Sequence, residues 1–211
     1  MINITRSTHG YADYKSEATR DIIKRDFGRI CYLCEGDPVQ NWEIDHFYPV
    51  VHFPDLENDM DNLFFICSKC NKIRPKDINT TGKEVLNPCH DDVGNLLSLS
   101  MDMSGMPNPN KLILIKNNDE TNPQVQATID SLLQRIYNGI DTSSNSFKDL
   151  QDDVFVTLVE LRENLLDYLE NKKGTFLEDN WQRKDWAKIN TKPSKYYSFK
   201  QSLIKQLDFS L

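Results

Sequence analysis

The chain is expected to have an α+β fold: a small ββα core stapled by a structural zinc, then a β-hairpin and a mainly helical C-terminal region. Three observations predict it. Cys31-x-x-Cys34 and Cys67-x-x-Cys70 are two thiolate pairs at a spacing that closes one tetrahedral zinc site from two separate turns. Between and after them lie two short runs with strand character and a brief polar helix. Beyond residue 120, apolar residues recur at helical spacing.

In chain order, residues 12–29 read as a helix, with Ala12, Ala18, Ile22, Ile23 and Phe27 forming an apolar stripe and Gly28 a stop. Glu35-Gly36-Asp37-Pro38 reverses the chain after the first cysteine pair. Residues 42–46 form a strand with Trp42, Ile44 and His46 on one face and Glu43 and Asp45 on the other. Residues 63–66 form a second strand. A short helix begins near Ser68 and stops near Ile73, because Pro75 disfavours helical geometry at Arg74. Residues 96–101 and 111–116 make a hairpin linked through Gly105, Pro107 and Pro109. A helix over 123–138 has Thr121 as its N-cap, Pro123 in its first turn and Gly139 past its end. After the polar linker 141–146 comes a helix over 147–171, with Leu150, Val154, Leu158, Leu161, Leu165 and Leu169 on one stripe. Two regions are expected: residues 1–93, carrying the zinc core and the N-terminal helix, and residues 94–211, for docking a partner or substrate.

At 211 residues and 38% hydrophobic, the chain can bury a sizeable core. No run of 18 apolar residues is present, which excludes a membrane helix. Met1–Arg6 lacks the apolar region of a secretory signal. Five cysteines, four of them in knuckle pairs, indicate metal thiolates in a reducing compartment, with the cytoplasm as the expected location. A net charge of −7 argues against coating nucleic acid by charge alone. The charge is uneven, however. Arg183, Lys184, Lys188, Lys192, Lys195, Lys200 and Lys205 stand against a single acid, Asp185, over 181–205. Lys69, Lys72, Arg74 and Lys76 surround the second cysteine pair.

The loop closed by the zinc holds an adjacent acid and imidazole. Hydrolysis of a phosphodiester requires an activated water, a cation for the charge on the leaving oxygen, and fixed geometry. A hard cation such as Mg²⁺ or Mn²⁺ takes oxygen ligands, and Asp45 with the side-chain oxygen of Asn71 supplies them. His46 can take a proton from water near neutral pH, and Asn62 can brace the loop between the strands. Lys72, Arg74 and Lys76 are placed to hold flanking phosphates.

The order Glu43-x-Asp45-His46-x-x-Pro49, then Asn62-Leu63, then Cys67-x-x-Cys70-Asn71 resembles the HNH endonucleases, with their zinc-stapled ββα-metal fold. The resemblance covers roughly residues 30–77. It implies that His46 is the general base, Asp45 and Asn71 the ligands of the catalytic divalent ion, and Asn62 the loop-holding asparagine. Cys31, Cys34, Cys67 and Cys70 take the structural zinc. Arg74 stands where many members carry lysine. The succession of this core, Leu86-Asn87-Pro88-Cys89-His90-Asp91-Asp92, a hairpin and helices is similar to the bacterial HNH proteins of Septu-type and retron-associated anti-phage systems. That similarity implies an ABC-type ATPase partner and an antiviral role. The helix over 147–171 and the basic tail are then docking surfaces.

Other readings stand beside these. A zinc-stapled module could bind DNA or RNA without turnover, or act as a regulatory subunit. Glu43 reads as a brace of the site, His52 as a surface residue and Cys89 as a spare buried thiol, with His90 beside it adding no second metal. Tyr196-Tyr197-x-Phe199 can stack bases or serve as core.

Overall fold

The computed structural model describes residues 1–38, 40–104, 111–143, 145–170 and 194–206, with side chains in the long helix described up to residue 166. The first helix, α1 (Glu17–Asp26), begins later than the stripe implies. Ser16 is its N-cap, accepting a hydrogen bond from the Thr19 amide. Residues 11–14 are held instead by the loop around residue 58: Tyr11 bridges Asp59, and the Ala12 amide donates to the Asn58 carbonyl. Gly28, at φ 56°, takes the left-handed turn that ends the helix.

Strands β1 (Trp42–His46) and β2 (Leu63–Cys67) pair antiparallel, with Trp42 opposite Cys67 and His46 opposite Leu63. Every residue of β2 is buried, because α1, the first cysteine turn and β1 surround it. Phe64 meets Phe27, Tyr32 and Phe47 with ring centroids 5.6, 5.0 and 5.2 Å away. Helix α2 (Ser68–Ile73) follows directly and stops at Arg74, before Pro75. This ββα unit is the expected core.

A short helix, α3 (Val93–Leu96), leads into a second antiparallel pair, β3 (Leu97–Met101) with β4 (Ile113–Asn117). The expected helix over 123–138 is built in three pieces: α4 (Pro123–Thr128), a π-turn (Ile129–Leu133) and α5 (Gln134–Asn138). Its N-cap is Asn122, not Thr121. The Asn122 side chain accepts from the Gln124 amide, while Thr121 is turned back onto Asp119. Helix α6 (Ser146–Glu170) buries Val154, Leu158, Leu161 and Leu165 as its stripe requires; the Leu169 side chain lies outside the described residues. Helix α7 (Tyr197–Gln206) packs on β3 and α6.

The C-terminal elements grip the zinc-side turn directly. The Tyr137 hydroxyl donates to the Leu33 carbonyl at 3.0 Å, and the Tyr196 amide donates to the Glu35 carbonyl at 3.0 Å. The buried Glu35 carboxylate pairs with the Met1 amine at 2.8 Å and accepts from the Ser198 amide at 2.8 Å. Tyr196 and Phe199 are therefore core residues, 1% exposed, and base stacking is not their role. Of the basic tail, Arg183, Lys184, Lys188 and Lys192 lie outside the described residues, while Lys195 is paired with Asp153.

Gly139 closes α5 in the left-handed region at φ 70°, and a Cβ there would overlap the Phe147 ring. Gly139→Ala is expected to destabilise the protein by roughly 1–3 kcal/mol, since backbone strain and the ring clash act together. Chemical denaturation of the two proteins measures it.

Candidate functional site

The four sulfurs of Cys31, Cys34, Cys67 and Cys70 lie within 4.8 Å of one another, all buried. A zinc–sulfur bond of about 2.3 Å places tetrahedral sulfurs ~3.8 Å apart, and Cys34 Sγ stands 3.9 Å from Cys67 Sγ. The fit to zinc is close. Cys67 Sγ also caps α2, accepting from the Cys70 amide at 3.3 Å. Hydrogen bonds from Cys31, Cys34 and Cys70 push the Cys67 thiol strongly down, while contacts with Cys31 and Cys67 and burial push Cys34 up, and contacts with Cys31, Cys34 and Cys67 and burial push Cys70 up. Cys89 lies outside it, half-buried, with its pKa pushed up to about 12 by burial.

Two-residue alternation puts Glu43 and Asp45 on the face of β1 covered by α2. The buried Asp45 accepts from the Tyr32 hydroxyl at 2.7 Å, and Arg74 Nε lies 3.1 Å from the same carboxylate oxygen. Burial, then the Asp45 charge, raise the Tyr32 pKa well above its usual value, so the phenol stays a donor. Asn71 meets the other carboxylate: its Nδ2 donates to Glu43 Oε2 at 2.5 Å, and its Oδ1 accepts from Lys76 Nζ at 3.3 Å. The Ser68 hydroxyl, and after it the Asn71 amide, Lys72 and Lys76, hold the Glu43 carboxyl below the usual range against a modest burial effect.

His46 leaves β1 on the opposite face. Its Nε2 lies 2.9 Å from the Glu57 carbonyl, and its ring stands edge-on to Tyr14. A carbonyl only accepts, so Nε2 carries the hydrogen and Nδ1 of the neutral ring holds the lone pair. Among the described residues no hydrogen bond joins His46 to Asp45 or Asn71. Asn62 is buried and ties the intervening loop together: Oδ1 accepts from the Tyr48 amide at 2.6 Å, and Nδ2 donates to the Tyr48 and Leu56 carbonyls.

Lys72 and Lys76 are exposed. Arg74 is not: at 4% exposure its guanidinium points inward, bonded to the Phe47 carbonyl as well as paired with Asp45. The expectation that Arg74 clamps a phosphate is replaced by an internal role, because the C-terminal turn of α2 lies against the β1 face that bears Asp45. Removing it leaves a buried carboxylate unpaired. Arg74→Ala is therefore expected to destabilise the protein by about 3–5 kcal/mol, measured by denaturant unfolding. His52 is exposed, as expected.

Sequence reasoning missed two supports, Tyr32 and Asn79. Asn79 is fully buried, donates to the Phe47 carbonyl at 3.1 Å and accepts from the Glu84 and Val85 amides. A tyrosine between the two cysteines of the first pair was the one available signal for Tyr32. Nothing local marked Asn79. A cleft of about 840 Å³ runs beside the site, lined by Glu43, Ser68, Lys72 and the first cysteine turn on one side and Asp149 and Asp153 of α6 on the other. Asp45 and His46 are not on it.

Among the described residues no helix is long and apolar enough to cross a membrane. Among curated proteins none matches the chain. The family model described as HNH endonuclease does match, over residues 31–76, a segment that begins at the first zinc-site cysteine and includes Asp45, His46, Asn62 and Asn71. Residues 31–76 thus match the HNH endonuclease family model and are built as a zinc-competent ββα unit inside a longer α+β chain.

Proposed function

We propose that the chain hydrolyses phosphodiester bonds in nucleic acid as a metal-dependent HNH endonuclease. The carrying observation is that the family match and the buried four-sulfur cluster fall on the same segment as Asp45, His46 and Asn71. In this reading His46 Nδ1 takes the proton from the attacking water, with Nε2–H anchored on the Glu57 carbonyl. Asn62 keeps the loop that carries this anchor against the end of β1. Asp45 and Asn71 hold a Mg²⁺ or Mn²⁺ ion. The donor set is hard oxygen, and Asn71 Oδ1 already attracts a positive group, the Lys76 ammonium. When bound, such a cation stabilises charge on the phosphate and the leaving oxygen. Lys72 and Lys76, exposed on and just after α2, take flanking phosphates.

Residues 1–93 carry this chemistry, and residues 94–211 dock a partner. The resemblance to Septu-type and retron-associated proteins makes that partner an ABC-type ATPase, the setting an anti-phage system and the location the cytoplasm. DNA is the first substrate to test and RNA the second. The test incubates purified chain, alone and with a co-encoded ATPase, with labelled DNA and RNA under Mg²⁺ or Mn²⁺. Divalent-dependent internal cleavage is the expected result.

One observation favours a second reading, a nucleic-acid-binding or regulatory subunit without turnover: the Asp45 carboxylate is already engaged by Tyr32 and Arg74. Binding that persists in EDTA, with no product under either divalent ion, would select it.

A further inference from the structure

We infer that Glu43 is the positioning residue that aims the Asn71 side chain. The inference rests on the nuclease reading, in which Asn71 holds the divalent ion through an oxygen. An asparagine amide can present either its oxygen or its nitrogen, and only the oxygen binds a cation. A residue that selects between these two poses therefore controls the site.

Glu43 has the geometry to do so. It lies on the α2-facing side of β1, and its Oε2 accepts the Asn71 Nδ2 hydrogen at 2.5 Å. A carboxylate has no hydrogen to give, so a flip of the amide would set Asn71 Oδ1 against a negative oxygen. The flipped pose is repelled and the observed one favoured. With the nitrogen committed, Oδ1 is turned to the other side, where Lys76 Nζ lies 3.3 Å away. A positive charge already rests on the oxygen that a cation would take. The contact comes from an exposed, flexible side chain and is easily exchanged.

The arrangement follows the general pattern in which the non-ligating atom of a ligand residue is held by a carboxylate. It also accounts for both acids of β1. Asp45 and Glu43 share one strand face two residues apart; Tyr32 and Arg74 hold the first, while the second holds Asn71. The role is one of orientation, since Glu43 borders the cleft but reaches the proposed ion through Asn71.

The test compares zinc-loaded wild type with Glu43→Ala, Glu43→Asp, Asn71→Ala and the Glu43→Ala/Asn71→Ala double variant. Mn²⁺ affinity is read by calorimetry, thermal melting checks the fold, and cleavage is followed as a function of Mn²⁺. Glu43→Ala should weaken Mn²⁺ binding by about 10–100-fold, the usual effect of losing such a support. Saturating Mn²⁺ should restore most of its turnover. The double variant should bind no more weakly than Asn71→Ala alone, because Glu43 acts through Asn71. Glu43→Asp, which keeps the carboxylate on a shorter stem, should recover part of the loss. Unchanged affinity in Glu43→Ala, or losses that add in the double variant, would overturn the inference. A chain that cuts nothing while showing the same coupled Mn²⁺ losses would remove the nuclease reading and leave the orienting role standing.

Discussion

His46→Ala is expected to slow cleavage by about 10²–10⁴-fold, the range for loss of a positioned general base. Zinc content and melting temperature should stay close to wild type. The ring is only partly buried, and among the described residues it meets one loop carbonyl and the Tyr14 ring. Replacement by alanine thus removes the lone pair at Nδ1 without opening the core. Single-turnover cleavage under saturating Mg²⁺, run beside circular dichroism melts, separates the two effects. Equal rates for the two proteins would show that another group takes the proton.

Cys67→Ser is expected to act through the fold. Zinc bound by four thiolates contributes roughly 10–16 kcal/mol of apparent binding energy near neutral pH, all of it linked to folding where the site exists only in the native chain. Here the four sulfurs are contributed by two turns 33 residues apart, drawn together around the end of β2. Cys67 has two tasks, as zinc ligand and as the acceptor that caps α2. Its loss should reduce bound zinc from one per chain to nearly none. With about 2–4 °C of melting temperature per kcal/mol at this size, the transition should fall by at least ~10 °C or disappear. Cys89→Ser is the control, since that thiol lies outside the cluster and should leave zinc content unchanged. Metal analysis with thermal melts of both variants decides the matter.

The parts of the core that were legible are those whose determinants are local. Alternation of apolar and polar residues placed β1, an uninterrupted apolar run placed β2, and Pro75 ended α2 at Arg74. The cysteine spacing announced a cluster that the fold then assembled. Where a second, non-local partner competed, legibility failed. Asn122 caps α4 because Thr121 is taken by Asp119, and residues 11–14 pair with the loop at 58–59 although their apolar residues continue the α1 stripe. The π-turn at Ile129–Leu133 left no trace, since the same residues are buried in either helix type. At the site, residue types were readable but their pairing was not. Nothing in the order of residues says that Asn71 meets Glu43 while Asp45 meets Arg74 and Tyr32. That outcome depends on how α2 lies across β1. Arg74 illustrates the point: its charge suggested a phosphate, and the helix end directs it inward.

The most direct measurement supplies zinc-loaded protein, with and without the proposed ATPase partner, with closed circular duplex DNA, circular single-stranded DNA and circular RNA, so that only internal cuts register. The expected result is opening of one of these circles in Mg²⁺ or Mn²⁺, leaving 5′-phosphate and 3′-hydroxyl ends, with no product in EDTA and almost none from His46→Ala. Circles that all stay closed under every divalent ion, or that open equally fast with His46→Ala, would contradict it.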